Sequence, residues 1–277
     1  GSEFTIKIPI KLGETFAAPV IPTDEVVLKK ASNLKVLIVD DEPSQISLLM
    51  ELVKATGMKP HSCTNGEEAL EMLEKSNFDL VLTDIQMPKM DGISLLEQLR
   101  KNEATRSIPV IALSGKTDVL PEEYKRMGFS GSLLKHYSSG ELLSMIEMSL
   151  HVNFTKKNSE NSPTYSDSRN YTLEEVSLFA GGDKKALDII LTAFIDSSKT
   201  NLQALREAQQ NGNQERMAAI AHKMLPMFRQ LKAGPIVKKL ERFEDRQVNN
   251  TEEEFEQTAE EIHQLLGHLE EVKSPAV

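Results

Sequence analysis

Short apolar runs, each ending in a polar or acidic residue, constrain this chain more than any other feature. Val36-Leu37-Ile38-Val39 ends in Asp40-Asp41, and Asp79-Leu80-Val81-Leu82 ends in Thr83-Asp84. Residues 108–113 end in Ser114, and Ser132-Leu133-Leu134 ends in Lys135. Runs this short, with no polar face, are strands buried on both sides, the habit of parallel sheets. Between them lie amphipathic stretches such as residues 45–55 and 66–73. Strand alternating with helix requires right-handed crossovers and predicts an α/β doubly wound sheet.

The pattern changes after residue 150. Residues 151–170 are rich in Ser, Asn, Lys and Thr with no apolar period, which predicts a flexible linker. Helical periods then run over residues 173–180, 184–209, 213–231, 235–245 and 251–269, punctuated by Gly181-Gly182, Gly212 and Asn249-Asn250. Short connections between long helices predict an all-α antiparallel bundle over residues 171–277. A length of 277 residues accommodates both units. At the start, Phe4, Ile6, Ile8 and Ile10 alternate as a strand would, and residues 11–33, with Pro19 and Pro22, read as linker.

Bulk properties exclude some classes. A net charge of −10 argues against a nucleic-acid partner held by a basic face and against a polybasic membrane surface. No apolar run approaches the ~18 residues of a spanning helix, so the expected compartment is the cytoplasm, whatever anchors a longer parent chain. Cys63 has no second cysteine to pair with and reads as a buried strand residue. His61, His151, His263 and His268 lack metal-ligand spacing and read as structural or surface residues.

In a doubly wound parallel sheet, sites form beyond the carboxyl ends of the strands. Those ends carry Asp40, Asp41, Asp84, Ser114 and Lys135. Three converging carboxylates repel one another, and a hard cation with oxygen ligands such as Mg2+ relieves this. Asp41 and Asp84 are the direct candidates, Asp40 acts through water, and the Gln86 backbone carbonyl adds a ligand. A carboxylate flanked by such an ion, an ammonium and a hydroxyl suits phosphoryl transfer, with Asp84 as nucleophile.

VLIVDDEPSQISLLMELV, DLVLTDIQMPKMDGISLLEQLR, IPVIALSG and GFSGSLLKH resemble the response-regulator receiver family over residues 34–150. The resemblance implies a five-stranded flavodoxin-like sheet. It implies acidic metal-site roles for Asp40 and Asp41, the phosphoacceptor role for Asp84, a hydroxyl switch at Ser114 and a phosphate-binding lysine at Lys135. Two positions depart from the family. Ser132 stands where an aromatic usually reports phosphorylation, and His136 stands where Pro usually follows the lysine. Phosphorylation without that aromatic output suits a relay intermediate better than an allosteric switch.

In the helix containing AAIAHKMLPMFRQL, Met217, Ile220, Ala221, Met224, Phe228 and Leu231 form the core stripe. His222 lies on a flank with Ala218, Leu225 and Arg229, where it is exposed to a partner. Residues 173–269 resemble histidine-containing phosphotransfer domains, four-helix bundles in which one histidine exchanges phosphate with receiver aspartates; the match falls on His222. Leu225 replaces the usual Lys three positions on, and Pro226 the usual Gly, leaving Lys223 or Arg229 as substitute donors. Pro226 removes the hydrogen bond to the His222 carbonyl and predicts a local bend that leans the imidazole outward.

Together these features imply a phosphorelay fragment of a hybrid sensor histidine kinase. Phosphate would pass from an upstream kinase histidine to Asp84, then His222, then another receiver. EFTIKIPI resembles the last strand of a kinase ATP-binding domain, or is a cloning remnant. Two other readings stay open: a receiver joined to a helical docking module with an incidental His222, and an aspartyl-phosphate hydrolase, which Gln86 disfavours because it offers no general acid two residues after Asp84.

Overall fold

A computed structural model describes residues 33–115, 119–154, 170–245 and 251–273. Strands β1 (Lys35–Val39), β2 (Lys59–Cys63), β3 (Leu80–Asp84), β4 (Val110–Ser114) and β5 (Gly131–Leu134) form one parallel sheet in the order β2-β1-β3-β4-β5. Their crossovers carry α1 (Pro43–Ala55), α2 (Gly66–Lys75), α3 (Gly92–Lys101) and α4 (Pro121–Met127), and α5 (Ser139–Leu150) follows β5.

Alternate residues of β1 serve opposite faces. Val36 and Ile38 join one core with Leu48, Leu49 and Leu52 of α1 and Leu142 and Ile146 of α5. Leu37 and Val39 join the other with Ala69 of α2, Leu95 and Leu96 of α3 and Tyr124 of α4. This is the expected flavodoxin-like doubly wound arrangement. No apolar run marks β2, whose sequence is Lys59-Pro60-His61-Ser62-Cys63. Among the described residues it pairs only with β1, and an edge strand tolerates a proline with no N–H to donate. Cys63 ends it, buried as expected, with its thiol pushed up to about 12 by that burial.

The helical half comprises α6 (Glu174–Phe179), α7 (Lys184–Gln210), α8 (Gln214–Gln230), α9 (Gly234–Glu244) and α10 (Glu252–Val272). Side chains set the helix starts. Asp183 caps α7 by accepting from the Lys185 and Ala186 amides, and Thr251 and Glu254 form a reciprocal capping box at α10. Helix α8 packs on α7 and α9, and α10 packs on the same two, which closes a four-helix arrangement. Phe194 of α7 meets Phe228 of α8 edge to face at 5.0 Å inside it.

Three features of the fold bear on the expectations for Pro226, for the linker and for the two halves. Helix α8 runs without interruption through Pro226, which is buried. The order of the first half continues beyond residue 150. Val152 is buried in the core of α1 and α5, and the Phe154 amide donates to Glu147 Oε1 at 2.5 Å. The two halves are also not separate bodies. Helix α1 packs on α6, α7 and α8, and one apolar cluster runs from the β1–α1 face of the sheet into the bundle. The remainder of the expected linker, residues 155–169, and the expected strand within residues 1–10 lie outside the described residues.

Candidate functional site

The sheet register delivers the carboxylates. Val39 pairs with Thr83, so Asp40 and Asp84 emerge side by side where the strand order reverses between β1 and β3. Ser114 pairs with Leu134, and the Lys135 amide donates to the Ser114 carbonyl at 2.7 Å, bringing that lysine alongside. The glycine of the Met-Asp-Gly turn has a steric reason. A Cβ on Gly92 would lie 2.2 Å from the Asp84 carbonyl oxygen, so only glycine lets α3 start this close to β3.

Lys135 Nζ sits 2.7 Å from Asp84 Oδ2 and 2.8 Å from Asp40 Oδ2, with all three side chains buried. Burial works against the Lys135 charge, but the two carboxylates outweigh it and hold the ammonium protonated well above the ordinary lysine range. Burial pushes the Asp40 carboxyl up to about 7, opposed by Lys135 and reinforced by Asp84. The Glu42 amide donates to Asp40 Oδ1 at 2.9 Å and the Gln86 amide to Asp84 Oδ1 at 3.2 Å. Carboxylate oxygens of Asp40, Asp41 and Asp84 all lie within 4.8 Å of one another, a set of hard donors suited to Mg2+. The Ser114 hydroxyl accepts from Tyr124 Oη at 2.9 Å. His136 is exposed beside this cluster, and Ser132 is half-buried in β5.

The helical half closes over this cluster. Asp41, Asp84, Gln86 and Lys135 share the lining of a cleft of about 1020 Å³ with His222 and Lys223 of α8. His222 presents its Cε1–Nε2 edge to the residue after Ser114: a Cβ on Gly115 would fall 2.5 Å from Cε1 and 2.7 Å from Nε2. On its other side, Nδ1 is 2.5 Å from Glu244 Oε1 of α9. That hydrogen bond holds the Glu244 carboxyl below its usual range. Lys223 forms an ion pair with Asp41.

The expected flank of His222 is therefore not open. Ala218 and Leu225 are buried, and the imidazole, 25% exposed, faces the chain's own β-strand ends. Of the two substitute donors, Lys223 is engaged by Asp41 and Arg229 pairs with Glu241 at 2.9 Å. Several participants were invisible to sequence reasoning. Glu42 receives Asn201 Nδ2 at 3.2 Å and the Ser197 hydroxyl, both from α7. Gln230 of α8 reaches the Tyr137 carbonyl, and Glu244 reaches His222. These pairs join distant elements, and no local spacing signals them. Glu42 alone had a cue, since it directly follows Asp40-Asp41.

Residues 36–147 match the response regulator receiver domain family. Chemotaxis protein CheY-3 of Vibrio cholerae is 33% identical over 121 residues, covering 43% of this chain and 91% of that protein. This chain belongs to the response regulator receiver family. It thereby carries a receiver of two-component phosphorelay signalling. Sensor protein EvgS of Escherichia coli K12 is 26% identical over 228 residues, 81% of this chain, and the chain spans 18% of its length. Among solved structures, the receiver domain of a Pseudomonas aeruginosa sensor histidine kinase, with magnesium in its active-site cleft, is 23% identical with a TM-score of 0.40. It aligns with 43% of this chain and 98% of its own. Among the described residues, no helix is long and apolar enough to cross a membrane.

Proposed function

We propose that this chain carries two consecutive stations of a phosphorelay, Asp84 in a receiver (residues 34–150) and His222 in a histidine phosphotransfer domain (residues 171–277). It would be part of a longer hybrid sensor histidine kinase and act in the cytoplasm. The observation that supports this best is the shared cleft: the His222 ring edge lies against Gly115, in the same cavity as Asp84 and Lys135.

In the first step, an Asp84 carboxylate oxygen bonds to phosphorus as the N–P bond of an upstream kinase phosphohistidine breaks. Lys135, held by Asp40 and Asp84, neutralises charge on the phosphoryl oxygens, and the Ser114 hydroxyl donates to one of them. Asp40, Asp41, Asp84 and the Gln86 carbonyl would hold Mg2+, which when bound supplies further neutralisation of the phosphoryl group. In the second step the His222 Nε2 lone pair bonds to phosphorus as the Asp84 O–P bond breaks. With its Nδ1–H donated to Glu244 Oε1, the imidazole keeps the tautomer whose Nε2 lone pair faces the receiver. A downstream receiver aspartate then takes the group from His222.

A second reading has its own support. Leu225 is buried and Lys223 is committed to Asp41, so the bundle also fits a docking module that caps the receiver. Intact mass separates the two. The chain is incubated with Mg2+ and a small phosphodonor, then treated with acid or base. A base-labile adduct absent from Asp84→Asn and an acid-labile adduct absent from His222→Gln are expected. An Asp84 adduct with none at His222, even alongside phosphorylated kinase, establishes the docking reading, and no adduct in wild type overturns the relay.

A further inference from the structure

Asp41 is claimed twice. Its carboxylate belongs to the set of oxygens that fits a divalent cation, and the same carboxylate is paired with the Lys223 ammonium of α8. Its side chain is only 7% exposed, and it lines the same cleft as Lys223, so an ion would reach it from the side that α8 borders. Lys135 already places one ammonium on Asp40 and Asp84, so a second ammonium on Asp41 leaves a divalent ion no carboxylate without a cation beside it, and the charges repel at a few ångströms. Lys223 directly follows His222, so the ion pair also governs how α8 sits on the strand ends.

We propose that Lys223 and the divalent cation compete for Asp41, so that metal loading and the α8-docked arrangement are mutually opposed. This rests on the metal site assigned to the receiver in the proposed function. Lys223 thus acts as a tethered cation: it neutralises Asp41 while α8 is seated, and it yields when the ion enters. The receiver would be readied for the kinase with Lys223 displaced, while the ion pair returns His222 to its place over Gly115. By linkage, whatever factor Lys223 takes from metal affinity, the metal must take from the ion pair.

Two measurements on the full chain test this without an activity readout. Calorimetric titration with Mg2+ compares wild type, Lys223→Met and Arg229→Gln. Lys223→Met should bind Mg2+ at least about fivefold more tightly, the lower end of ordinary coupling between sites. Arg229→Gln removes a charge from the same cleft without touching Asp41 and should bind as wild type does. Amine-reactive labelling of Lys223, read by peptide mass, should accelerate by a similar factor when Mg2+ saturates the wild type, with Lys238 on α9 unchanged as the internal control. Lys223→Arg, which keeps both charge and pair, should retain the weaker Mg2+ affinity and guards against a folding defect in Lys223→Met. Equal Mg2+ affinity in wild type and Lys223→Met overturns the competition. So does equal tightening in Arg229→Gln, which would reduce the effect to a general field, or labelling of Lys223 that ignores Mg2+. Absence of Mg2+ binding in every protein overturns instead the metal assignment beneath the proposal, and the mass experiment on Asp84 and His222 stands apart from both.

Discussion

Gln230 at the end of α8 donates its Nε2–H to the Tyr137 carbonyl at 2.7 Å. Tyr137 lies two residues beyond Lys135, so this buried hydrogen bond ties the helix bearing His222 to the loop bearing the lysine. The Tyr137 ring lies 6.2 Å from that of Phe179 at the end of α6, which makes the same loop an apolar anchor. The loop after β5 is therefore structured by the helical half as well as by the sheet.

Lys135→Met should be strongly destabilising in chelator. It leaves the Asp40 and Asp84 carboxylates buried without their shared cation, and removing one partner of a buried ion pair typically costs about 3–5 kcal/mol. Urea unfolding measures it, and Mg2+ should recover part of the loss. A loss under about 1 kcal/mol would mean that Lys135 does not carry the electrostatic balance of the site.

Ser197→Ala combined with Asn201→Ala strips α7 of both donors to the buried Glu42 carboxylate. Leaving that group short of partners should cost about 1–3 kcal/mol. Unfolding of the whole chain should show the loss.

Gly115→Ala places a Cβ into the His222 ring while β4 remains untouched. The expected outcome is an unseated α8 at a cost of about 1–3 kcal/mol, as overpacking usually brings. Hydrogen exchange should rise across α8 and at the Tyr137 loop but not in β1 or β3. Unchanged exchange at α8 would show that the ring turns aside freely.

In the metal-free chain the Asp40 carboxyl is raised from its ordinary 3.8 to about 7 by burial. The folded chain therefore binds this proton more tightly than the unfolded chain. The resulting stabilisation is complete below about pH 4, declines as pH rises and is gone above the folded value. In chelator, wild type should lose stability relative to Asp40→Asn between about pH 4 and pH 7, as urea midpoints would report. Parallel midpoints for the two proteins would place the Asp40 proton elsewhere.

The receiver half was legible because its strands are buried on both faces and write themselves as uninterrupted apolar runs. Asp40, Asp84, Ser114 and Lys135 could be placed together because a parallel sheet gathers consecutive strand ends. β2 escaped, since an edge strand with Pro60 and His61 need not be apolar. The relation of the halves was illegible for a different reason. The amphipathic stretch over residues 45–55 signals one apolar face, whereas α1 is covered by the sheet on one side and by α6, α7 and α8 on the other. Pro226 sits in a continuous α8 that packs on α7 and α9, a setting of which its cost in an isolated helix says nothing. Glu244 and Gln230 are polar residues on amphipathic helices, and only the tertiary arrangement tells them from solvent-facing neighbours.

The apolar cluster that crosses from β1 and α1 into α7 and α8 has a consequence for how such chains can be rearranged. Receiver and bundle look like interchangeable cassettes in the one-dimensional chain, yet neither owns its full interior. A related receiver grafted in place of this one would have to reproduce the outer surface of α1 as well as the carboxylates at the strand ends. Otherwise Phe179 and its neighbours would be left facing water. Transplanting the two halves together would keep that shared interior intact.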